Sequence, residues 1–310
     1  MSAADVPGRA FLTADVFTDQ PFGGNPLAVL PDADGLDEGA MQRIAREFNL
    51  SETTFVLPPT RPDCDLRFRI FTPEIELPFA GHPTIGGVLA LVHLGRISPA
   101  GDGSPVRVVI EEAAGPVPVD ILADGAGGLP RAVMGAPRRP EPVADAPARA
   151  DLAALLSLPE RAIADGALVA SAGMPFLFVP LAQDADLDRC RPDAAAAARL
   201  LPEGAPSRLV YPMVVDRAAR RVRARMFGAA AGIGEDPATG SAAMALAAWL
   251  AGIEPVLVPG TVAWTILQGE AMGRPSRLDL EIDLDHTGIS AVRLSGRAVM
   301  MSAGRLISGI

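Results

Sequence analysis

The stretch Glu235-Asp236-Pro237-Ala238-Thr239-Gly240-Ser241-Ala242-Ala243, running on to Leu250, constrains the fold more than any other part of the chain. Ala242 to Leu250 is apolar nearly all round, which marks a helix buried on every side rather than a surface helix. Its start is opposite in character: an acid pair, a proline and small residues. Pro237 suits a helical first turn, where its missing N–H is not needed. Asp236 before it suits an N-cap, where a carboxylate accepts from free backbone N–H groups. Thr239, Gly240 and Ser241 are small enough for a ligand to approach those groups. The start therefore fits two roles, an ordinary capped core helix or an anion site.

A second segment repeats this logic. Gly81-His82-Pro83-Thr84-Ile85-Gly86-Gly87 feeds the apolar run Val88 to Leu94, with polar His82 ahead of a helix-starting proline. His82-Pro83 lies over Asp236-Pro237 at an offset of 236 minus 82, or 154 residues. The same offset sets Pro21-Phe22 on Pro175-Phe176, and Pro26-Leu27-Ala28 on Pro180-Leu181-Ala182. Half of 310 is 155, so two similar domains from a duplication are expected. Two such helix starts facing each other across a cleft would grip a carboxylate from both sides.

Between these landmarks the chain reads mostly as strands. Phe11 to Phe17 alternates, and Leu27 to Leu30 is a buried strand after the turn-rich loop Asp19 to Pro26. Asn25 in that loop fits either a substrate amide or carboxylate or the turn before Pro26. Asp37 to Phe48 is amphipathic, with Met41, Ile44, Ala45 and Phe48 on one face. Thr53 to Leu57 is β-branched and apolar, and Glu52 stands where it begins. A carboxylate there is either a solvated strand start or, if buried, an acid of raised pKa. Asp65 to Phe71, Val106 to Glu111, Val117 to Leu122, Arg131 to Met134, Val169 to Leu181, Arg208 to Val215, Arg221 to Phe227, Val256 to Gly269, Arg277 to Leu284 and Val292 to Met301 read as strands. Asp151 to Leu156 and Pro192 to Leu201 read as helices. Asp124 to Gly128 and Gly228 to Gly234 read as loops, Pro137 to Pro147 as a linker, His93 as a core histidine and His286 as a turn residue. Many strands with few helices mean α+β. The expected boundaries are 1–135 and 136–297, with 298–310 packing back on the first domain.

Composition removes whole function classes. A formal net charge of −10 argues against a nucleic-acid surface. The chain has no lysine, hence no Schiff-base amine and no P-loop lysine. Gly228 to Gly234 lacks GxGxxG spacing, so a nucleotide enzyme is discounted. Three histidines, none close in sequence, give no metal signature. Cys64 and Cys190 are far apart and form no CxxC, so neither a zinc site nor a disulfide is expected. Met1 to Ala10 has no apolar h-region, and Ala242 to Leu250 is too short to span a bilayer. A cytoplasmic protein without membrane partners is expected.

Five segments together resemble the PhzF-like proteins of phenazine biosynthesis, relatives of diaminopimelate epimerase in fold. They are Gly24-Asn25-Pro26, Leu50-Ser51-Glu52-Thr53, Gly81-His82-Pro83-Thr84 with Gly86, Glu235 to Ala242, and Gln268-Gly269 with Met272-Gly273-Arg274-Pro275-Ser276. One departure is Arg225-Met226-Phe227-Gly228-Ala229, where the family has an Arg-x-Phe-Ala-Pro type of run. The resemblance implies two similar domains, each a curled, barrel-like, mostly antiparallel sheet around a central helix. It also implies an active site between the domains, no cofactor, a small carboxylate substrate and a homodimer. Epimerase and racemase relatives use two opposing cysteines. Here neither cysteine lies in Gly81–Thr84 or Asp236–Ser241, so thiol racemisation is not expected. The PhzF-like alternative is a single glutamate that moves a proton between carbons on one substrate face, as in trans-2,3-dihydro-3-hydroxyanthranilate isomerisation. By match Glu52 is that glutamate, with His82 and Asp236 assisting. Asn25, Gly81, Pro83, Thr84, Gly240 and Ser241 bind substrate. Two rival readings are a non-catalytic binding protein on the same fold and an amino-acid epimerase or racemase.

Overall fold

A computed structural model describes residues 8–124, 128–228, 230, 233–253 and 258–307. Parts of five sequence-based assignments lie outside the described residues: 1–7 of the N-terminus, 125–127 of one loop, 229, 231 and 232 of the glycine/alanine loop, 256–257 of one strand and 308–310 of the C-terminal tail. The chain divides into two compact units, Met1–Gly135 with Ser295–Ile310, and Ala136–Leu294.

In chain order the first unit carries β1 (Arg9–Val16), β2 (Asn25–Leu30), α1 (Glu38–Phe48), β3 (Glu52–Leu57), β4 (Leu66–Phe71), β5 (Glu76–Leu77), α2 (Gly81–His93), β6 (Val106–Glu112), β7 (Gly115–Leu122) and β8 (Arg131–Gly135). The second carries β9 (Glu141–Asp145), α3 (Arg149–Leu155), β10 (Leu168–Ser171), β11 (Pro175–Pro180), α4 (Asp184–Arg189), α5 (Ala194–Leu200), β12 (Val210–Asp216), β13 (Arg221–Ala224), β14 (Met226–Gly228), β15 (Ile233–Asp236), α6 (Gly240–Gly252), β16 (Gly260–Gln268) and β17 (Ser276–Asp285). β18 (Gly288–Gly296) leads back to β19 (Ala298–Leu306), which pairs antiparallel with β1.

The two units repeat one pairing scheme. In the first, β1–β2 is antiparallel, β2–β3 parallel, β3–β4 antiparallel, β4–β6 parallel and β6–β7 antiparallel. In the second the same sequence of directions runs through β10–β11, β11–β12, β12–β13, β13–β16 and β16–β17. Each sheet curls around one apolar helix, α2 or α6, giving the diaminopimelate-epimerase-like α+β fold. Every residue from Gly81 to Leu91 of α2 is buried, as is nearly all of α6. α1, by contrast, buries one face only: Met41, Ile44 and Ala45 pack on Leu30, Phe55 and Phe71. Asp37 caps its start, accepting from the Ala40 N–H at 2.7 Å, and Asn49 ends it in the left-handed conformation.

Several sequence-based assignments need correction. The proline-rich stretch 137–147 is not simply a linker, because Glu141–Asp145 pairs with β10. The runs Val169–Leu181 and Val292–Met301 each divide into two strands. His93 is exposed in the last turn of α2, not in the core. Neither buried helix starts where its proline suggested. α2 begins one residue before His82, and α6 begins four residues after Asp236. A residue before proline is pushed toward extended backbone, and Asp236 accordingly ends β15, opposite Met226. Matching the prolines therefore matches the segments but not the helix starts.

Gly86 and Gly87 allow α2 its central place. A Cβ on Gly86 would stand 2.5 Å from Val16 Cγ2 and 2.6 Å from Leu27 Cδ2, and one on Gly87 2.7 Å from Phe68 Cε2. Val16 and Leu27 are fully buried and have no room to retreat. Gly86→Ala is therefore expected to cost about 1–3 kcal/mol through overpacking, despite the gain in helix propensity. Urea unfolding checks this; a variant at or above the wild-type midpoint would contradict the packing account.

Candidate active site

In the first unit three elements bring their polar residues together. The parallel register sets Glu52, at the head of β3, beside Leu27 of β2, and Asn25 begins that same β2 strand, fully buried. His82 belongs to the first turn of α2. Its Nε2 lies 3.1 Å from Glu52 Oε2, with side-chain exposures of 6% for the histidine and 17% for the glutamate. Thr54 of β3 reaches the Pro83 carbonyl at 3.4 Å, tying the start of α2 to the strand that carries Glu52.

Burial pushes the His82 imidazole down to about 3, so the ring is neutral at neutral pH. Among the described residues His82 Nε2 makes no hydrogen bond, so its approach to Glu52 Oε2 at 3.1 Å is a close contact of two polar atoms. The α2 start has no side-chain cap from Ala80. Gly81 and His82 thus present first-turn N–H groups that no carbonyl of their own helix serves. Pro83 has no N–H to offer. Thr84 is committed to the helix, which corrects its expected role in binding: its N–H and hydroxyl both reach the Ala80 carbonyl, at 3.2 and 2.7 Å, and its side chain is fully buried.

The second unit holds Asp236, Gly240 and Ser241. Gly240 and Ser241 open α6, whose N-cap is Thr239, not Asp236. The Thr239 side chain does not cap the turn, because it belongs to a buried network. Tyr211 Oη donates to Gln268 Oε1 at 3.0 Å, and the Thr239 N–H points to the same oxygen at 3.3 Å. Gln268 Nε2 donates to the Asp236 carbonyl at 2.7 Å and to Thr239 Oγ1 at 3.0 Å. Thr239 then has one proton left to give, and gives it to Asp236 Oδ2 at 2.5 Å. The network leaves Asp236 as the acceptor. Burial raises the Tyr211 phenol, which keeps it a donor.

A second device fixes the β14–β15 hairpin that ends in Asp236. Arg225 pairs with both oxygens of Glu235, at 2.8 and 2.7 Å, and donates to the Leu187 and Cys190 carbonyls. Gly269, at φ +79°, lets the chain pass close to Pro237; a Cβ there would lie 2.7 Å from the Pro237 carbonyl oxygen. Tyr211, Gln268, Thr239 and Arg225 were not among the expected site residues. Gln268 lay inside a quoted motif, but a pairing across 57 residues to Tyr211 leaves no local signal.

Both cysteines are free thiols and buried. Cys190 is fully buried in an apolar cluster with Leu187 and Leu201, and burial pushes its thiol up to about 12. Burial also raises Cys64. Neither is poised as a thiolate base.

A sequence model described as phenazine biosynthesis-like protein, PhzC-PhzF, matches residues 14–304. The chain belongs to the PhzF-like family. An uncharacterized isomerase of Mesorhizobium japonicum is 40% identical over 96% of this chain and 98% of its own. The trans-2,3-dihydro-3-hydroxyanthranilate isomerase of Pseudomonas aeruginosa is 37% identical over 95% and 98%. A crystal structure of a Bacillus anthracis phenazine biosynthesis protein of the PhzF family superposes with a TM-score of 0.85 at 26% identity, covering 97% of this chain and 99% of that one. The protein is thus a PhzF-like isomerase. Among its described residues no helix is long and apolar enough to cross a membrane.

Two measurements test this description. Gln268→Leu orphans the Tyr211 hydroxyl, the Thr239 N–H and the Asp236 carbonyl, and should cost roughly 2–4 kcal/mol, against about 1 kcal/mol for Tyr211→Phe. Equal unfolding midpoints for the two variants would contradict the network. For His82, the unfolded ring takes up a proton below its ordinary 6.5 while the folded ring resists until about 3. Its contribution to stability is therefore complete above about 6.5 and is lost as pH falls toward 3. The His82 ring signals in NMR should stay flat between pH 8 and about 5; a midpoint inside that window would refute neutral burial.

Proposed function

We propose that this isomerase moves a proton between carbons of a small carboxylate-bearing metabolite by one-base general acid/base catalysis, without a cofactor. Glu52 takes the proton as a carboxylate, leaving a carbanion delocalised toward the substrate carboxylate, and returns it as an acid to a second carbon on the same face. No atoms are gained or lost; one C–H bond breaks and another forms while a double bond shifts. The observation that carries this reading is the Glu52–His82 contact, 3.1 Å at the open first turn of a buried helix. A carboxylate set against a neutral, buried imidazole is a base held in place at the helix start, where a proton taken from carbon can be kept and returned. The uncapped N–H groups of Gly81 and His82 stabilise developing negative charge at no reorganisation cost. In the second unit Asp236, held as an acceptor, suits a substrate amine or hydroxyl, and Gly240 and Ser241 offer the second helix start.

The substrate class follows from the same features together with the relatives. The substrate named for the Pseudomonas aeruginosa relative, trans-2,3-dihydro-3-hydroxyanthranilate, carries a carboxylate of the kind that suits the open start of α2. The buried, high-pKa cysteines weigh against thiol-based racemisation. A cytoplasmic homodimer is part of this reading.

Deuterium uptake at substrate carbon from heavy water reads the proton transfer directly. Glu52→Gln should keep the fold and lower exchange and turnover by about 10²–10⁴-fold. Wild-type exchange in that variant would sink the mechanism, and tight binding without exchange in the wild type would point to a binding protein instead.

A further inference from the structure

One buried carboxyl takes no part in the proposed proton transfer. Glu112, the last residue of β6, is 5% exposed and sits against the start of α2. Its Oε1 lies 2.5 Å from Thr84 Oγ1, and the same hydroxyl lies 2.7 Å from the Ala80 carbonyl. A threonine hydroxyl has one proton. If it points at Glu112, two bare oxygens, Thr84 Oγ1 and the Ala80 carbonyl, face each other at 2.7 Å with nothing between them. If it points at Ala80, Glu112 must supply the proton for the shorter contact. The second arrangement gives Thr84 Oγ1, the Ala80 carbonyl and Glu112 Oε1 each a partner, and it requires a neutral carboxylic acid.

We propose that Glu112 is a positioning residue, a protonated carboxylic acid that donates to Thr84 and so locks the first turn of α2 with His82 facing Glu52. The proposal rests on the reading of Glu52 and His82 as the proton-transfer pair. The chain of donors runs from Glu112 to Thr84 to the Ala80 carbonyl, which also accepts the Thr84 N–H at 3.2 Å. Thr84 is two residues beyond His82, so the turn that aims the imidazole is the turn this chain pins.

Charges on neighbouring elements are engaged elsewhere. Glu111 of β6 binds the Thr60 and Arg61 N–H groups and lies 3.8 Å from Arg67 of β4. Arg69 of β4 pairs with Glu76 of β5, and Asp120 of β7 with Arg107. His82, on α2, is neutral and turned to Glu52. Desolvation with no compensating cation pushes Glu112 up to about 8, in agreement with the geometry. A neutral acid has a further use here. An ionised carboxylate beneath α2 would spend the positive helix end that a substrate anion needs.

Infrared spectroscopy of the resting protein tests protonation without any substrate. The wild type minus Glu112→Gln difference spectrum at neutral pH should contain the C=O stretch of a neutral carboxylic acid; its absence overturns the proposal. Position is read by the His82 ring signals in NMR and by kinetics. Glu112→Gln, whose amide donates in the same direction, should keep both, with kcat within about threefold. Glu112→Met, which donates nothing, should shift the His82 signals and lower kcat by about 10- to 100-fold with KM nearly unchanged. A folded Glu112→Met protein with wild-type His82 signals and kcat overturns the positioning role. Should no small acid be turned over by any form, the proposed reaction fails on its own, while the infrared and NMR results still decide the place of Glu112.

Discussion

A helix buried on every side has nowhere to put polarity except its ends, and that constraint organises both units. α2 and α6 satisfy their own backbone through the middle turns and expose only first-turn N–H groups that their helices cannot serve. Side chains give those groups no cap, since Ala80 has none to offer and Thr239 is occupied. The sheet around each helix must then deliver every other polar group the site uses. In the first unit the parallel β2–β3 pair does so with Asn25 and Glu52. In the second, β12, β15 and β16 bring Tyr211, Asp236 and Gln268 together around Thr239.

At each helix start a threonine beside a carboxyl decides where a proton resides, and the two decisions are opposite. Thr239 accepts from Gln268, so its own proton goes to Asp236, which is held as an acceptor. Thr84 gives its proton to the Ala80 carbonyl, so Glu112 must bring one. The difference comes from what lies on the far side of each hydroxyl, an amide N–H in one unit and a backbone carbonyl in the other. Similar scaffolds thus hold one carboxyl as an acceptor and one as a donor, in a chain that has no lysine.

The features legible in the sequence were those set by neighbours in the chain. The one-sided α1, with Asp37 and Asn49 at its ends, follows from periodicity and capping. The two all-apolar helices, the glycine pair and the strand-rich character follow likewise. Glu52 and His82 were named through the family's motifs, and a glutamate and a histidine 30 positions apart are brought within 3.1 Å only by the β3–α2 packing. What stayed hidden was long-range or ran against local preference. Glu112 is 28 residues from Thr84 and reads as one more strand-end glutamate. β9 is recruited from a proline-rich stretch by β10, and the proline signature misplaced the start of α6 because Pro237 follows a paired strand residue.

The position of His82 bears on how many faces of a substrate this site can work. An inverting enzyme needs a second proton carrier on the side opposite the first. His82 stands in contact with Glu52 in the same unit, and its ring, kept neutral by burial, adds no opposing base. The two thiols are buried and burial raises both, so neither is poised as a base. Within the first unit these features support the proposed single carboxylate that lifts a proton and returns it on the same face, a shift of a double bond over inversion at one carbon.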